Sequence, residues 1–527
     1  MSKSDYRYNS LNFLLIGLAA GWLLIYVFAS QASAEDPFKA PEPSFNKEDF
    51  IESAKREKIL KIGLVDCVVY ALQKNPEVKI AKIAPVIGLD DKRIAEAEFE
   101  PTFKIDASVD DTKEQANSTV FASGVSTSRS TGVSAGVEGK LITGTKYNLD
   151  YYSLKHKSNY PTQVINPYHS SEAVITLTQP LFRGAGVFVN RAEIVIASNN
   201  QARSEEELFD IAMDTVVNAK IAYYDLAFYR ERYRIAKIFL EWTQKLLEIN
   251  KARYAKGLVS SVDVLEVESS VAEREKELID YEAKVERAED VLKYVTNIVE
   301  DPKLWNARIE LMDVPEFRTE EVELVQSLVN AFQYRPDYIS KQIELKNKNI
   351  RVKVAKNTLL PTVDVIGSFG LNGLGENYQK GIREMDDGDY RDWSLGVKIE
   401  IPWGGEERAD YDKKKLERAR AILEFKRLEQ KIILDIRDKV RDVKVQHRQV
   451  GASKVAQDSE TQNYDAQSKR YAAGYVSTHD LLDYRFNLAS AELDYVKAII
   501  DYNIDLVRLE RAQGLTLVKN GIAMEEE

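Results

Sequence analysis

The sequence predicts an α+β fold in which very long antiparallel helical hairpins follow short sets of β-strands. Three observations predict it: long stretches without glycine or proline, strand-like alternation of apolar and polar residues, and an internal repeat. Apolar residues spaced three or four apart in the long stretches indicate helices that pack against partner helices. Alternation with a period of two indicates strands with one buried face.

The predicted helices are much longer than the average helix of a globular domain. Neither glycine nor proline occurs from Val187 to Lys256, about 70 residues that would span roughly 105 Å as one helix. In the second half, Glu406 to Ala473 is interrupted only by Gly451. Two apolar stripes illustrate the spacing: Val217, Ile221, Tyr224 and Phe228, and Leu428, Ile432, Ile436, Val440 and Val443. A glycine-containing turn follows each long helix, so each half predicts one long antiparallel hairpin.

The predicted strands precede each hairpin. They cover segments 103–110, 133–141, 147–151 and 173–177 in the first half, and 363–371 and 393–401 in the second. Alternation of this kind is typical of a half-buried soluble sheet, and also of a membrane barrel with apolar residues facing lipid. The first half is longer because of the segment from Gly132 to Ser153. That segment predicts either an extracellular loop or two additional strands that widen a shared barrel.

The internal repeat is visible in the order of prolines and turns. Pro76 precedes Pro101 by 25 residues, as Pro336 precedes Pro361, and the turn beginning at Arg253 reappears at Arg470. The same prolines and turns in the same order predict a duplicated chain. The predicted parts are an N-terminal extension (35–59), a first repeat (60–300, strands 101–180, hairpin 187–300), a linker (301–321), a second repeat (322–515, strands 361–402, hairpin 405–513) and a tail (516–527).

The N-terminus predicts a secretory signal peptide over residues 1–34. Lys3 and Arg7 precede an apolar run, and the small residues Ala32, Ser33 and Ala34 resemble a cleavage site. A permanent membrane anchor is the alternative, because the apolar run approaches the length of a membrane span.

Composition excludes several classes of function. The net charge of −11 argues against a nucleic-acid partner, which would need a basic surface. The single cysteine, Cys67, lies in an apolar helical stretch and predicts a buried thiol rather than a disulfide or metal ligand. No nucleophile with a neighbouring base and no metal-ligand spacing is recognisable, so we expect neither an enzyme nor a cofactor.

Together, these parts predict a tube assembled from several copies. An open sheet edge in lipid would leave backbone groups unpaired, so strands that cross a membrane must close into a barrel shared between chains. Hairpins with apolar stripes need neighbouring helices along their whole length, and a ring of copies provides them. The alternatives are a soluble β-sandwich for the strands and a solid coiled-coil rod for the helices.

The chain resembles the TolC-type outer-membrane efflux protein family over most of its length, from about Leu60 to Ile522. The resemblance rests on Asn75-Pro76-Glu77, Gln179-Pro180-Leu181-Phe182-Arg183-Gly184, the two turns at Arg253 and Arg470, and Leu509-Glu510-Arg511-Ala512-Gln513-Gly514. It implies a homotrimer with a shared transmembrane β-barrel in the outer membrane and an α-helical barrel extending into the periplasm. It also implies docking to a periplasmic adaptor (membrane fusion) protein and, through it, indirectly to an inner-membrane pump.

The resemblance also implies roles for the hairpin tips. By position, the periplasmic gate comprises Asp263, Tyr471, Asp480 and Asp483, and the adaptor-docking tips comprise Gly257, Leu258, Val259, Ser260, Gly474, Tyr475, Val476 and Ser477. A ring of carboxylates would favour cations at a constriction. The aspartates could equally cap the returning helices. Val476 stands where some members carry a gate arginine, which leaves Arg470 and His479 as candidates to hold the tips together.

The predicted function is therefore a passive exit duct of a tripartite efflux or type I secretion system. The duct would contact outer-membrane lipid and would bind no nucleic acid. The alternative is a periplasmic coiled-coil scaffold without a pore.

Overall fold

A computed structural model describes residues 59–115, 124–301 and 304–522. The predicted signal peptide, nearly all of the N-terminal extension and the end of the tail lie outside the described residues. Among the described residues, no helix combines the length and the apolar character that a membrane crossing would need.

The first described residues form a short strand and two helices, and the same order returns later. The first set is β1 (Ile59–Ile62), α1 (Leu64–Lys74) and α2 (Pro76–Glu96). Asn75 caps α2 by accepting a hydrogen bond of 2.8 Å from the backbone N–H of Glu77, and Pro76 occupies the first turn. The later set is β6 (Arg308–Leu311), α6 (Leu324–Tyr334) and α7 (Pro336–Thr358). β1 and β6 pair in parallel and thereby join the two halves of the chain.

Six strands form one continuous antiparallel sheet in the order β2-β3-β4-β5-β7-β8. They are β2 (Thr102–Gln115), β3 (Val125–Lys140), β4 (Lys146–Ser158), β5 (Tyr168–Pro180), β7 (Thr362–Gly375) and β8 (Arg391–Glu400). Pro101 and Pro361 directly precede β2 and β7, as the sequence predicts. The edge strands β2 and β8 are exposed along their whole length. The strands therefore form a single sheet rather than the two packed sheets of a sandwich.

The segment from Gly132 to Ser153 belongs to this sheet. Its residues lie in β3, the turn at Gly144, and β4, which pair with each other and with the flanking strands β2 and β5. The segment thus adds two strands to the sheet. Leu141 lies in the turn after β3, not in the strand.

A short helix that the sequence did not predict, α8 (Tyr378–Asp386), connects β7 to β8. It packs against the sheet at Gly373, where a side chain would collide with the backbone of Gly381. The Tyr378 hydroxyl also lies 3.4 Å from that of Tyr151 on β4.

The two long hairpins are the dominant helical elements. After the single turn of α3 (Val187–Asn190), they are α4 (Ala192–Ala255) with α5 (Ser261–Val295), and α9 (Glu406–Ala472) with α10 (Thr478–Ala512). At 1.5 Å per residue, α4 and α9 are about 96 and 100 Å long. Gly451 lies inside α9 without interrupting it. A last turn, α11 (Thr516–Lys519), follows α10.

The apolar stripes of these helices form the core. One cluster joins α4, α5 and α10 to β1 and β6 around Tyr223, Leu226, Leu292, Ile309 and Ile500. Cys67 on α1 belongs to it and is fully buried, as predicted. A second cluster joins α9, α10 and α6 around Ile432, Ile436, Val440, Tyr502 and Ala331. The buried Arg335 at the start of α7 donates to Asp337 at 2.9 Å and to Asp435 on α9 at 2.8 Å, and thereby joins α7 to α9.

Candidate functional site

The two hairpin tips have the same backbone design. Gly257 and Gly474 adopt the left-handed conformation, with φ of 71° and 82°. The following residue, Leu258 or Tyr475, donates its backbone N–H back to the carbonyl of Arg253 or Arg470, at 3.0 Å in each case. Glycine ends helices in this way because it lacks the β-carbon that would be strained at positive φ.

Each returning helix begins with a capping box. At the first tip, the Ser260 hydroxyl lies 2.7 Å from a carboxylate oxygen of Asp263 and accepts the backbone N–H of Asp263 at 3.2 Å. At the second tip, Ser477 and Asp480 make the same contacts at 2.6 and 3.1 Å. The serine hydroxyl bonds come first among the causes that hold the pKa of both carboxyl groups below the ordinary aspartate value. These two aspartates therefore cap α5 and α10.

Tyr471 lies inside the second tip rather than on its surface. Its side chain is buried, and its hydroxyl donates a hydrogen bond of 3.0 Å to the side-chain oxygen of Asn250 on α4. The amide of Asn250 lies 3.4 Å from the hydroxyl of Thr478, the first residue of α10. The guanidinium of Arg253 lies over the Tyr471 ring, 4.8 Å from its centre. Tyr471 thus connects the second hairpin to the first.

An apolar cluster surrounds this connection. Its buried members come from all four long helices: Leu246, Val267, Tyr471, Leu481 and Leu482. Val476 packs against this cluster and is half-buried. An apolar residue here therefore contributes to packing between the hairpins.

His479 makes a second contact between the hairpins. Its Nδ1 atom lies 2.6 Å from Oε1 of Glu266 on α5, and its Nε2 atom lies 3.6 Å from Asp483 on its own helix. The hydrogen bond to Glu266 and the charges of Asp483 and Glu266 raise the pKa of the imidazole. Arg470, the other candidate for holding the tips, has a side-chain hydrogen bond to Gln467 on its own helix.

The predicted gate residues do not form one cluster within the chain. Asp263 and Asp480 bond within their own turns, Asp483 lies beside His479, and Tyr471 faces Asn250. Of the predicted tip residues, Leu258 and Tyr475 are 69% and 78% exposed. Gly257, Ser260, Gly474 and Ser477 are exposed as well, whereas Val259 is half-buried like Val476.

Sequence reasoning missed two residues of this site, Asn250 and Glu266. Both lie outside the tip turns that carry the family motif, one on α4 and one on α5. Glu266 lies three residues after Asp263, so helical spacing places the two on the same side of α5 and could have indicated it. Across the described ranges, no group of three or more histidine, cysteine, aspartate or glutamate side chains is placed to hold a metal ion.

Comparisons with known proteins agree on a family and a fold. The family model described as "Outer membrane efflux protein" matches residues 68–297 and 328–515, more than half of the chain. A curated relative, nodulation protein T of Rhizobium leguminosarum bv. trifolii, is 24% identical over 315 residues, 57% of this chain. That alignment spans 64% of the relative's length.

Several solved structures have the same fold. The Campylobacter jejuni CmeC outer membrane channel aligns over 93% of this chain and 92% of its own, with a TM-score of 0.61 and 17% identity. The outer-membrane channel OprN aligns over 89% and 91%, with a TM-score of 0.63 and 16% identity. The open state of the Neisseria gonorrhoeae MtrE outer membrane channel aligns over 86% and 89%, with a TM-score of 0.59 and 17% identity.

Proposed function

The chain belongs to the outer membrane efflux protein family, and we propose that it forms a passive exit duct through the outer membrane and across the periplasm. Three copies would assemble with their sheets side by side in one β-barrel and their hairpins in one α-helical barrel. The two halves of the chain would be copies of one repeat. The match of the family model to two separate segments supports that duplication.

The sheet edges are the observation that carries this proposal. β2 and β8 end the sheet on either side and are exposed along their whole length. Phe103 on β2 and Trp393 on β8 are both 75% exposed. Long, exposed edge strands with an apolar face are avoided in soluble monomers, because they pair with other chains. Pairing of β2 of one copy with β8 of the next would close the ring and leave no edge in lipid.

The hairpin tips would form the periplasmic entrance. Asp263, Asp480 and Asp483 would carry negative charge there, with Tyr471 bracing the second tip from inside. The cap role of Asp263 and Asp480 does not compete with a charge role, because a carboxylate that caps a helix stays ionised. Threefold repetition would concentrate cations at the constriction.

The exposed tip surface would bind the periplasmic adaptor. Residues 257–260 and 474–477 form the two turns, and Leu258 and Tyr475 present apolar side chains there. An apolar contact with a polar rim is a common design for a protein–protein interface. The inner-membrane pump would supply the transport energy through the adaptor.

Membrane fractionation followed by electrophoresis tests the assembly. We expect the protein in the outer-membrane fraction, migrating as a trimer in SDS and as a monomer after boiling. A periplasmic coiled-coil scaffold would instead remain in the soluble fraction without an SDS-resistant trimer. That result would contradict the proposed duct.

A further inference from the structure

The pair of strands β3 and β4 continues an apolar row that crosses the whole sheet. Strand register places one residue from every strand in this row: Phe103, Val137, Leu149, Ile175, Phe369 and Trp393. Leu149 is 51% exposed, similar to Phe369 at 45%. The row therefore runs without interruption from edge to edge, and the chain itself leaves most of it uncovered.

The same alternation covers residues 133–138 of β3 and 147–152 of β4. Toward the face of this row they carry Val133, Ala135 and Val137 on β3 and Tyr147, Leu149 and Tyr151 on β4. Toward the other face they carry Ser134, Gly136 and Glu138 on β3 and Asn148, Asp150 and Tyr152 on β4. Lys104 on β2 forms an ion pair of 2.6 Å with Glu138 on that second face. A barrel wall alternates in this way, with apolar residues toward lipid and polar residues toward the lumen.

The inserted strands are also long enough to cross a membrane. β3 has 16 residues and β4 has 13, whereas a tilted membrane strand needs about 9 to 11. An extracellular hairpin would have no reason to keep an apolar face in register with the lipid-facing strands. Water on both of its faces would favour polar residues on both.

We propose that β3 and β4 are part of the membrane wall, so that each copy contributes six strands to the shared barrel. This inference rests on the proposed trimeric duct. Three copies would then contribute eighteen strands. Barrel diameter grows roughly linearly with strand number, so this barrel would be roughly 1.5 times as wide as one built from four strands per copy. The occupant of the apolar face would be the acyl chains of the membrane.

Spin-label accessibility in the full-length protein, inserted in lipid vesicles, tests this placement. Cys67 is buried and is the only cysteine, so Cys67→Ala provides a background for single labels. Val137→Cys and Leu149→Cys place labels on the row in β3 and β4, and Glu138→Cys and Asn148→Cys place labels on the opposite face. Phe369→Cys on β7 is the lipid control, and Val164→Cys, 97% exposed between β4 and β5, is the water control.

We expect labels at Val137 and Leu149 to collide with oxygen, and to be shielded from a water-soluble nickel chelate, as at Phe369. Labels at Glu138 and Asn148 should show the reverse preference. Nickel accessibility at Val137 and Leu149 equal to that at Val164 would overturn the proposal and make β3 and β4 an extracellular hairpin. Nickel accessibility at Phe369 as well would mean that the whole sheet lies outside lipid, which contradicts the proposed duct itself. Two labelled positions on separate strands keep the test decisive if one label prevents insertion.

Discussion

The imidazole of His479 on α10 lies 2.6 Å from the carboxylate of Glu266 on α5, and this contact joins the tips of the two hairpins. Both side chains are polar and accessible, with exposed fractions of 64% and 35%. Asp480 and Asp483 on α10 add negative charge around the ring. Nearby, Lys251 and Glu268 form an ion pair of 2.8 Å within the first hairpin. The contact therefore depends on the protonation of one histidine.

We predict that this contact is strongest in acid and weakens as pH rises. The hydrogen bond to Glu266 raises the pKa of His479. The stabilisation from this contact is therefore complete below the ordinary histidine pKa of about 6.5, and it is lost as pH rises through the raised pKa. NMR titration of labelled histidines should show Glu266→Gln lowering that pKa. The control Glu268→Gln removes a negative charge from the neighbouring ion pair and should leave the pKa of His479 nearly unchanged. Equal titration of His479 in the wild type and in Glu266→Gln would refute the contact.

A second prediction concerns the buried hydrogen bond between Tyr471 and Asn250. Asn250 is fully buried, so Asn250→Ala leaves the Tyr471 hydroxyl without its acceptor and should destabilise the hairpins by about 1 to 3 kcal/mol. Tyr471→Phe should also destabilise them, and the double variant should lose less than the sum of the single effects. Thermal unfolding followed by circular dichroism measures all three. Strict additivity of the two changes would show that the residues do not interact.

A third prediction compares two glycines of the second hairpin. Gly474 has φ of 82° in the tip, and Gly474→Ala should cost about 1 to 2 kcal/mol. Gly451 lies inside α9, and a methyl group added there would meet open space rather than a neighbouring element of the described chain. Gly451→Ala should therefore stabilise the protein by about 0.5 to 1 kcal/mol. Opposite shifts of the unfolding temperature are expected, and shifts of the same sign would contradict the assigned conformations.

A fourth prediction concerns the reactivity of Cys67. Burial, followed by the charges of Asp66 and Asp313, raises the pKa of its thiol to about 12. The thiolate is the reactive form, so a maleimide should not modify the folded protein at pH 8. Complete modification should follow denaturation, and Val164→Cys supplies an exposed thiol as the positive control. Rapid labelling of folded wild-type protein would show that α1 is not packed as described.

Much of this fold was predictable because its signals are local. The long helices follow from the absence of glycine and proline together with stripes such as Ile432, Ile436 and Val440. Gly451 does not end α9, because one glycine destabilises a long, well-packed helix by only about 1 kcal/mol. The strands of the large sheet follow from alternation that continues over several residues.

The missed elements have no comparable local signal. β1 and β6 are four residues each, and their partners lie in opposite halves of the chain. α8 contains Gly381 and many charged residues, so it resembles a loop. At the tips, the capping aspartates were recognisable from Ser260 and Ser477. Asn250 and Glu266 were not recognisable from the sequence, because contacts between the hairpins depend on how α4, α5, α9 and α10 align along their axes.

Single-channel conductance in a planar bilayer shows whether the chain forms a conducting duct. Wild-type protein and the tip variant Asn250→Ala are measured first, since the variant loosens the entrance. We predict cation-selective currents that are larger in the variant. Asp480→Asn with Asp483→Asn should reduce the selectivity, because it removes charge while an amide oxygen can still accept the capping bonds. If membrane-inserted trimers of both proteins pass no current, the protein is not a conducting duct.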